Sequence, residues 1–376
     1  MAAARSRALR GGRRSPRCIA ARGRIPARAR RPRRDSSRRR IAVFDAAADA
    51  AMKRAPARQR GVALLVALLV VALAVILVAA LLDRGELAFA RTRNALRAQQ
   101  ADAYALGLET WATRVLVAAQ AERPGLDTNA SPWALPLPPQ TVPGGVVGGT
   151  LRDLNGCFNL NNLSPRNADT RARWAGMLRR MLLELELDPE IAGAVEAWLG
   201  DDTGGSETNH YLALPVPYRP RGDVFAHASE LRLVRGVGAA AWAKLAPHVC
   251  ALPPGTRLNL NTADPVVLVS LDGLALPVTI TRELATKLWQ RGQANYGNVA
   301  EFAQAAGVSA GLLPETMFGV DSHYFLARAQ VVLDGLPLAY ASLIERGAGI
   351  RVLARSRGSD AIDAPDGAAA GYGEDR

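Results

Sequence analysis

Hydrophobic positions along this chain follow three patterns in turn. The first is unbroken: Val62 to Leu82 is a run of 21 residues without a charge. As a helix rising ~1.5 Å per residue it spans roughly 31 Å, enough to cross a bilayer core. Asp83 and Arg84 follow directly, with no small-residue cleavage site, and the run is longer than the apolar core of a secretory signal. Lys53, Arg54, Arg58 and Arg60 lie on its N-terminal flank, which keeps that end cytoplasmic and exports the bulk of the chain. One membrane pass is expected.

The second pattern is periodic. Ala101, Tyr104, Leu108, Trp111 and Val115 recur at steps of three and four, the spacing of one helical face. No Pro occurs from Asp83 to Gln120, Gly85 and Gly107 are tolerable interruptions, and Pro124-Gly125 is the first stop. The spacing predicts one helix of roughly 60 residues, its first half in lipid and its second packed on a globular domain.

The third pattern is mixed. Residues 123–149 are rich in Pro and Gly and read as a loop, and "VVGGTLRDLNGCFNLNNL" reads as short strands with tight turns. From Ser164 to Leu313 the pattern turns helical. Trp174, Met177, Leu178, Met181, Leu182 and Leu185 form one face. Asp188-Pro189 reads as N-cap and first position of a helix carrying Ile191, Val195, Trp198 and Leu199. "HYFLARAQVVLDGLPLAYASLIER" is a hairpin around Asp334-Gly335, "GIRVLARS" offers a further strand, and the small polar residues from Gly358 read as a disordered tail. The fold class expected is α+β: a long N-terminal helix on an antiparallel sheet domain with a large inserted all-α domain. Insertion is preferred to two domains in series because the closing strands need partners. The expected boundaries are an extension at 1–51, a leader at 52–61, the span at 62–82 and its helical continuation at 83–122. Sheet segments follow at 123–163 and 314–357 around an insert at 164–313, with a tail at 358–376.

Charge changes the picture once it is localised. The chain carries +13, but residues 1–60 hold 20 Lys and Arg against 3 Asp, leaving the remainder at −4. The body is mildly acidic, which argues against a nucleic-acid surface. Residues 1–51 are Arg- and Ala-rich with no apolar periodicity. They read as a basic nucleic-acid arm, an import peptide, or a stretch upstream of a true start at Met52; the last fits best, since Met52-Lys53-Arg54 before an apolar run is an ordinary membrane-targeting start. Of the three cysteines, Cys18 lies in that stretch. Cys157 and Cys250 fall in the exported part, where they form either a disulfide or two buried thiols; spacing does not decide.

Gly61, preceded by Arg60 and followed by the apolar run, resembles the processing site of type IV pilin-like proteins, whose basic leader ends at a Gly cut by a membrane aspartyl peptidase. The resemblance implies cleavage between Gly61 and Val62 with methylation of the new terminus; the alternative is an ordinary uncleaved anchor. Most such proteins carry Glu at the fifth mature position, which here is Val66. An apolar residue there resembles one branch, the K subunit of type II secretion systems, a minor pseudopilin. "RGVALLVALLVVAL", "DLNGCFNLNNL", "GSETNHYLAL", "PYRPRGDVFAHASELRLVRGV" and "HVCALPPGTRLNLNTADPVVLVSL" look like this family, and the resemblance covers residues 52–350. It implies a structural subunit that starts or caps a short periplasmic pseudopilus used to export folded proteins. The implied partners are I- and J-type minor pseudopilins, the major pseudopilin, the inner-membrane assembly platform and the prepilin peptidase. The implied location is the bacterial inner membrane, with the C-terminal domain in the periplasm.

Candidate chemistry is sparse. "WLGDDTGGSETNHYLAL" offers Asp201, Asp202, Glu207 and Asn209 on a Gly-rich loop, hard oxygen donors of the kind Ca²⁺ takes. K subunits resemble this with an Asp-rich loop that binds Ca²⁺. Here Gly200 and Thr208-Asn209 replace acidic residues, so binding is expected to be weaker, or the loop is simply solvated. Two segments resemble helix-hairpin-helix units, one with Gly236-Val237-Gly238 and one running from "LNLNTADPVVLVSLDGL" into the following helix. Nucleic-acid-binding versions expose turn N–H groups to phosphate. "DGLALP" lacks the Gly-x-Gly hairpin and Asp272 sits in it, so these read as structural helix pairs, with Asn259, Asn261 and Thr262 shaping a turn and capping a helix. A membrane-anchored DNA-binding protein of a competence type is the main rival, supported by Arg232 and Arg235. A hydrolase is a weaker one: the four histidines, His210, His227, His248 and His323, belong to no catalytic motif. A non-catalytic role is expected.

Overall fold

The computed structural model describes residues 59–201 and 205–358. The readings made for the extension 1–51, for leader residues 52–58, for Asp202 and for residues 359–376 lie outside the described residues. Helix α1 (Gln59–Glu122) is the first element. The chain divides into two units, the first ending at Val75 and the second starting at Ile76. In the first, the large apolar side chains from Val62 to Val75 are all at least 53% exposed. A helix that is apolar around its whole circumference and meets no protein is suited to lipid.

The second unit continues from α1 through β1 (Leu137–Val142), β2 (Gly145–Asp153) and β3 (Phe158–Asn159) to helices α2 (Ala168–Glu184), α3 (Ile191–Glu196), α4 (Ser206–Leu212) and α5 (Ala239–Leu245). Strands β4 (Val249–Cys250) and β5 (Leu258–Asn259) precede helices α6 (Pro265–Val269), α7 (Arg282–Trp289) and α8 (Val299–Ala305). Strands β6 (Phe318–Gly319), β7 (Tyr324–Leu333), β8 (Leu336–Arg346) and β9 (Ile350–Arg357) close the unit. Five of these strands form one antiparallel sheet in the order β1-β2-β7-β8-β9. The chain leaves this sheet at Asp153 and re-enters at Tyr324, on the neighbouring strand. The fold is therefore α+β, a helix on an antiparallel sheet with a mainly helical excursion; the expected all-α insert is corrected by two short parallel strand pairs within it, β3 with β4 and β5 with β6.

Period-2 alternation on β7 gives the sheet two faces. Phe325, Ala327, Ala329, Val331 and Leu333 turn toward Ala101, Leu108, Ala112, Leu116 and Ala119 of α1. Tyr324 and Leu326 point the other way, to Leu154, Leu252 and the two cysteines. The buried line on α1 departs from the predicted stripe after Leu108: Ala112, Leu116 and Ala119 are buried, whereas Trp111 and Val115 sit at the flank. Alanines let the helix axis approach the strands, so the larger neighbours are pushed to the edges of the contact.

Residues 123–149, read as a loop, contain β1 and the start of β2. Pro138 and Pro139 are tolerated in β1 because an edge strand has no outer partner needing their missing N–H groups. Gly145 starts β2, where a Cβ would lie 1.7 Å from the Val332 carbonyl oxygen. The hairpin at Asp334-Gly335 has positive φ at both residues (49° and 79°), the two-residue turn that suits twisted strands. Asp188 caps an opening turn through Oδ1, which accepts from the Glu190 N–H at 2.9 Å, and α3 proper begins at Ile191.

The helical lobe has its own core around Trp174, Met177, Leu178, Val267, Leu268 and Phe302, which reaches Phe158 and Val320, beyond 164–313 on both sides. Two matching brackets organise it. In the first, Asn159 Oδ1 accepts from the Asn161 N–H, and Asn161 bonds Phe225 as a peptide would: Nδ2 donates to its carbonyl at 3.0 Å and Oδ1 accepts from its N–H at 2.7 Å. In the second, Asn259 Oδ1 accepts from the Asn261 N–H, and Asn261 bonds Tyr296 in the same way at 3.0 and 2.8 Å. Each bracket sits on a two-residue parallel pair, β3 with β4 and β5 with β6. Asn259 and Asn261 thus shape turns as expected, but the cap of α6 is Asp264, whose carboxylate accepts from the Val266 and Val267 N–H groups.

Candidate functional site

The assembly candidates begin on α1. Gly61, Val62 and Val66 all lie in the helix and are exposed, Val66 at 53%. A Cβ at Gly61 would meet nothing within 4 Å, so no packing demand accounts for a glycine there. Farther along the helix, Glu109 is held by Arg355 through two bonds of 2.8 Å and by the Ser342 hydroxyl at 2.8 Å. The Arg355 hydrogen bonds hold its carboxyl below the usual range despite partial burial. Arg97–Asp334 (2.5 Å) and Arg357–Asp102 tie the helix to the β7–β8 turn and to β9 in the same way.

A buried polar joint fastens the sheet to the helical lobe. Asp127, just after α1, accepts from the Ser322 N–H at 2.8 Å and from Arg346, whose guanidinium also donates to the Ser322 carbonyl and lies 4.8 Å from the Phe325 ring. Asp153, at the end of β2, accepts from the Ser322 hydroxyl (2.7 Å), the Asn155 N–H (2.7 Å) and the Thr262 hydroxyl. Asn259 adds bonds to the Asp127 carbonyl and to Ser322. Burial pushes the Asp153 carboxyl up to about 6, the hydrogen bonds offsetting only part of the desolvation. This joint was invisible in sequence because its members are scattered from residue 127 to 346. Beside it, Cys157 and Cys250 are disulfide-bonded, their Cα atoms 5.9 Å apart across 93 residues.

The acidic-loop residues are only partly brought together. Asp201 ends the turn after α3, Asp202 lies outside the described residues, Glu207 is in the first turn of α4, and Asn209 is exposed. Glu207 faces a cation within the protein: Arg235 Nε donates to both carboxylate oxygens, at 2.9 and 3.0 Å, and Nη2 to Oε1 at 2.5 Å. Among the described residues, no three His, Cys, Asp or Glu side chains converge as metal ligands.

The glycine turns of the helix pairs are closed at Gly236 and Gly273, while a Cβ at Gly238 would meet nothing within 4 Å. At Gly236 (φ 85°) a Cβ would stand 2.9 Å from Ile191 Cγ1, and Gly273 lies against Gly176 of α2. Asp272 occupies the second turn, accepting from Arg180 and from the Ile280 N–H. At the second turn, the contact with Gly176 and the Asp272 carboxylate disfavour a phosphate. The histidines serve local structure: His227 caps a turn through Ser229, His248 pairs with Asp264 at 2.7 Å, His210 packs edge-on to Tyr211, and His323 lies 3.7 Å from Asp321.

Comparison with known proteins agrees with this architecture. A family model described as type II secretion system protein K matches residues 156–254, which hold the first bracket and the acidic loop. Type II secretion system protein K of Pectobacterium carotovorum is 31% identical over 323 residues, covering 80% of this chain and 97% of that protein. The Klebsiella pneumoniae protein of the same name is 32% identical, covering 77% of this chain and 93% of its own. A chain in the crystal structure of the GspK-GspI-GspJ complex from enterotoxigenic Escherichia coli superposes with a TM-score of 0.62 at 30% identity, over 71% of this chain and 99% of that one.

Proposed function

The chain belongs to the type II secretion system protein K family, and from that premise we propose how this minor pseudopilin enters its assembly. Peptidase cuts after Gly61, leaving the 21-residue apolar segment as the start of the mature chain. That segment holds the subunit in the inner membrane, with the sheet and helical lobe in the periplasm. The subunit then sits at the tip of the pseudopilus with I- and J-type partners. The observation that carries the reading is the form of α1: apolar and exposed from Val62 to Val75, then buried against β7 from Ala101 onward. A neighbour solved as a complex of K, I and J chains supports the choice of partners. Val66 supports the end position. A carboxylate at the fifth mature position needs a partner cation in the apolar layer, and a subunit without one makes no such demand on the subunit above it.

The test is intact mass and N-terminal sequencing of the membrane-extracted protein, produced with and without prepilin peptidase. A chain beginning at Val62 only when peptidase is present supports the reading. An uncleaved chain that nevertheless sustains secretion would sink it. Cross-linking from cysteines placed along α1 then identifies the neighbouring subunits.

A further inference from the structure

The stalk of α1 between the apolar run and the sheet carries charge that the protein itself does not use. From Asp83 to Leu96 every residue except Ala90 is exposed, and the first ion pair with the sheet is that of Arg97 with Asp334. Arg84 and Arg91 stand in this stretch, and among the described residues no carboxylate pairs with either. Seven positions apart, they fall within about 20° of each other around the helix and ~10.5 Å apart along it. Asp83 and Glu86 lie about 80° or more around the axis from both, so the two arginines form a face without acid. Arg93 belongs to the side of Glu86, its guanidinium 6.0 Å from the Phe89 ring.

The direction of the helix decides where this face looks. Cα–Cβ bonds tilt toward a helix N-terminus, and toward its N-terminus α1 enters the apolar run. Arg84 is ~3 Å and Arg91 ~14 Å beyond Leu82 along the axis, while the polar layer of a bilayer is about 5–7 Å deep on each side. Both side chains lean back toward that layer, and their stems carry the guanidinium groups farther the same way, as snorkelling arginines do. Lipid phosphates lie there, and the planar guanidinium fork pairs with two phosphate oxygens at once. Zwitterionic headgroups leave the two positive charges unbalanced; anionic headgroups do not.

We propose that Arg84 and Arg91 bind anionic phospholipid headgroups of the periplasmic leaflet, an inference that rests on the membrane placement given above for the apolar run. The contact fixes the depth of the span and ends when the subunit leaves the bilayer for the pseudopilus.

The experiment reconstitutes the full-length chain in vesicles of phosphatidylcholine and phosphatidylglycerol in equal parts. The protein is then re-extracted in mild detergent and its retained lipids are counted by native mass spectrometry. Phosphatidylglycerol should be retained severalfold over phosphatidylcholine, and the excess should shrink with added NaCl. Arg84→Gln with Arg91→Gln should remove most of the excess. Arg114→Gln, at an exposed arginine farther along the same helix, should leave it intact. Equal retention of the two lipids by the wild type overturns the proposal, as does an excess that survives in the double variant; either outcome favours acidic side chains of a partner helix. If the double variant fails to insert, the wild type decides: an excess that NaCl leaves unchanged overturns the contact. An alkaline wash separates this from the placement it rests on. A chain stripped from the vesicles refutes the span, whereas a chain that stays without selecting phosphatidylglycerol refutes only the lipid contact.

Discussion

Gly273 and Gly176 are pressed together backbone to backbone: a Cβ on Gly273 would lie 2.2 Å from the Gly176 carbonyl oxygen, and one on Gly176 would lie 2.4 Å from that of Gly273. No side chain is available to move aside. Gly273→Ala should therefore cost about 1–3 kcal/mol through overpacking, lowering the urea midpoint with little change in slope. Gly193→Ala is the control, since a Cβ there meets nothing within 4 Å. It should leave stability unchanged or raise it slightly, because alanine favours helix over glycine.

Asp153 makes stability depend on pH in the direction opposite to the usual carboxylate. Its folded pKa, about 6, lies above the usual value of 3.8. Protons thus bind the folded state more tightly, and the contribution is fully present below the ordinary pKa and lost as pH rises through 6. Two units correspond to about 3 kcal/mol at the upper limit. Asp153→Asn keeps an acceptor for the Asn155 N–H and donates to the Ser322 and Thr262 hydroxyls without a charge to desolvate. Urea unfolding from pH 4.5 to 8 should show wild type losing ground to this variant as pH rises. Parallel profiles would refute the assignment.

The Cys157–Cys250 bond closes a loop of 93 residues that contains α2 to α5. In the chain-entropy picture a loop of that length is worth about 4–5 kcal/mol. Reduction with dithiothreitol, or Cys157→Ala with Cys250→Ala, should lower the melting temperature substantially. The effect should be the same for both treatments, and dithiothreitol should do nothing further to the double variant.

An arginine at Val70 or Leu73 tests the role of α1 in the membrane. Both side chains are more than 60% exposed in a stretch apolar on every side. A charge at the centre of a spanning helix costs about 2.5–3.5 kcal/mol on insertion scales. Val70→Arg should abolish pseudopilus assembly and secretion while the folded part keeps its protease resistance. Normal secretion by this variant would count against the anchoring role of α1.

How legible the molecule was depends on the range of the interaction. Elements fixed by neighbours in sequence could be read directly: the uncharged run from Val62, and the Asp334-Gly335 turn whose two positive φ angles suit those residues. Residues whose role depends on distant partners could not. Pro138 and Pro139 signalled a loop because a strand edge is defined only by the sheet around it. Arg235 counts in sequence only as a basic residue near a glycine turn, since nothing local announces Glu207, 28 residues earlier. The repeated pattern Asn159-Leu160-Asn161 and Asn259-Leu260-Asn261 takes its meaning from Phe225 and Tyr296, 64 and 35 residues away.

The chain departs from the sheet at Asp153 and returns beside its point of departure, where the Leu154 N–H donates to the Tyr324 carbonyl at 2.9 Å. Seen from the sheet, some 170 residues amount to a detour with no net displacement, spliced between two strands that would be neighbours in any case. The detour grips the strands at few places: the joint of Asp153, Ser322, Asn259 and Thr262, and the contact of Cys250 and Leu252 with Tyr324 and Leu326. Such a layout separates two kinds of change. The helix-bearing frame answers to the filament it must enter, while the detour can alter its outer surface, provided that its two ends and the residues of the joint, Asn259 and Thr262 among them, are kept.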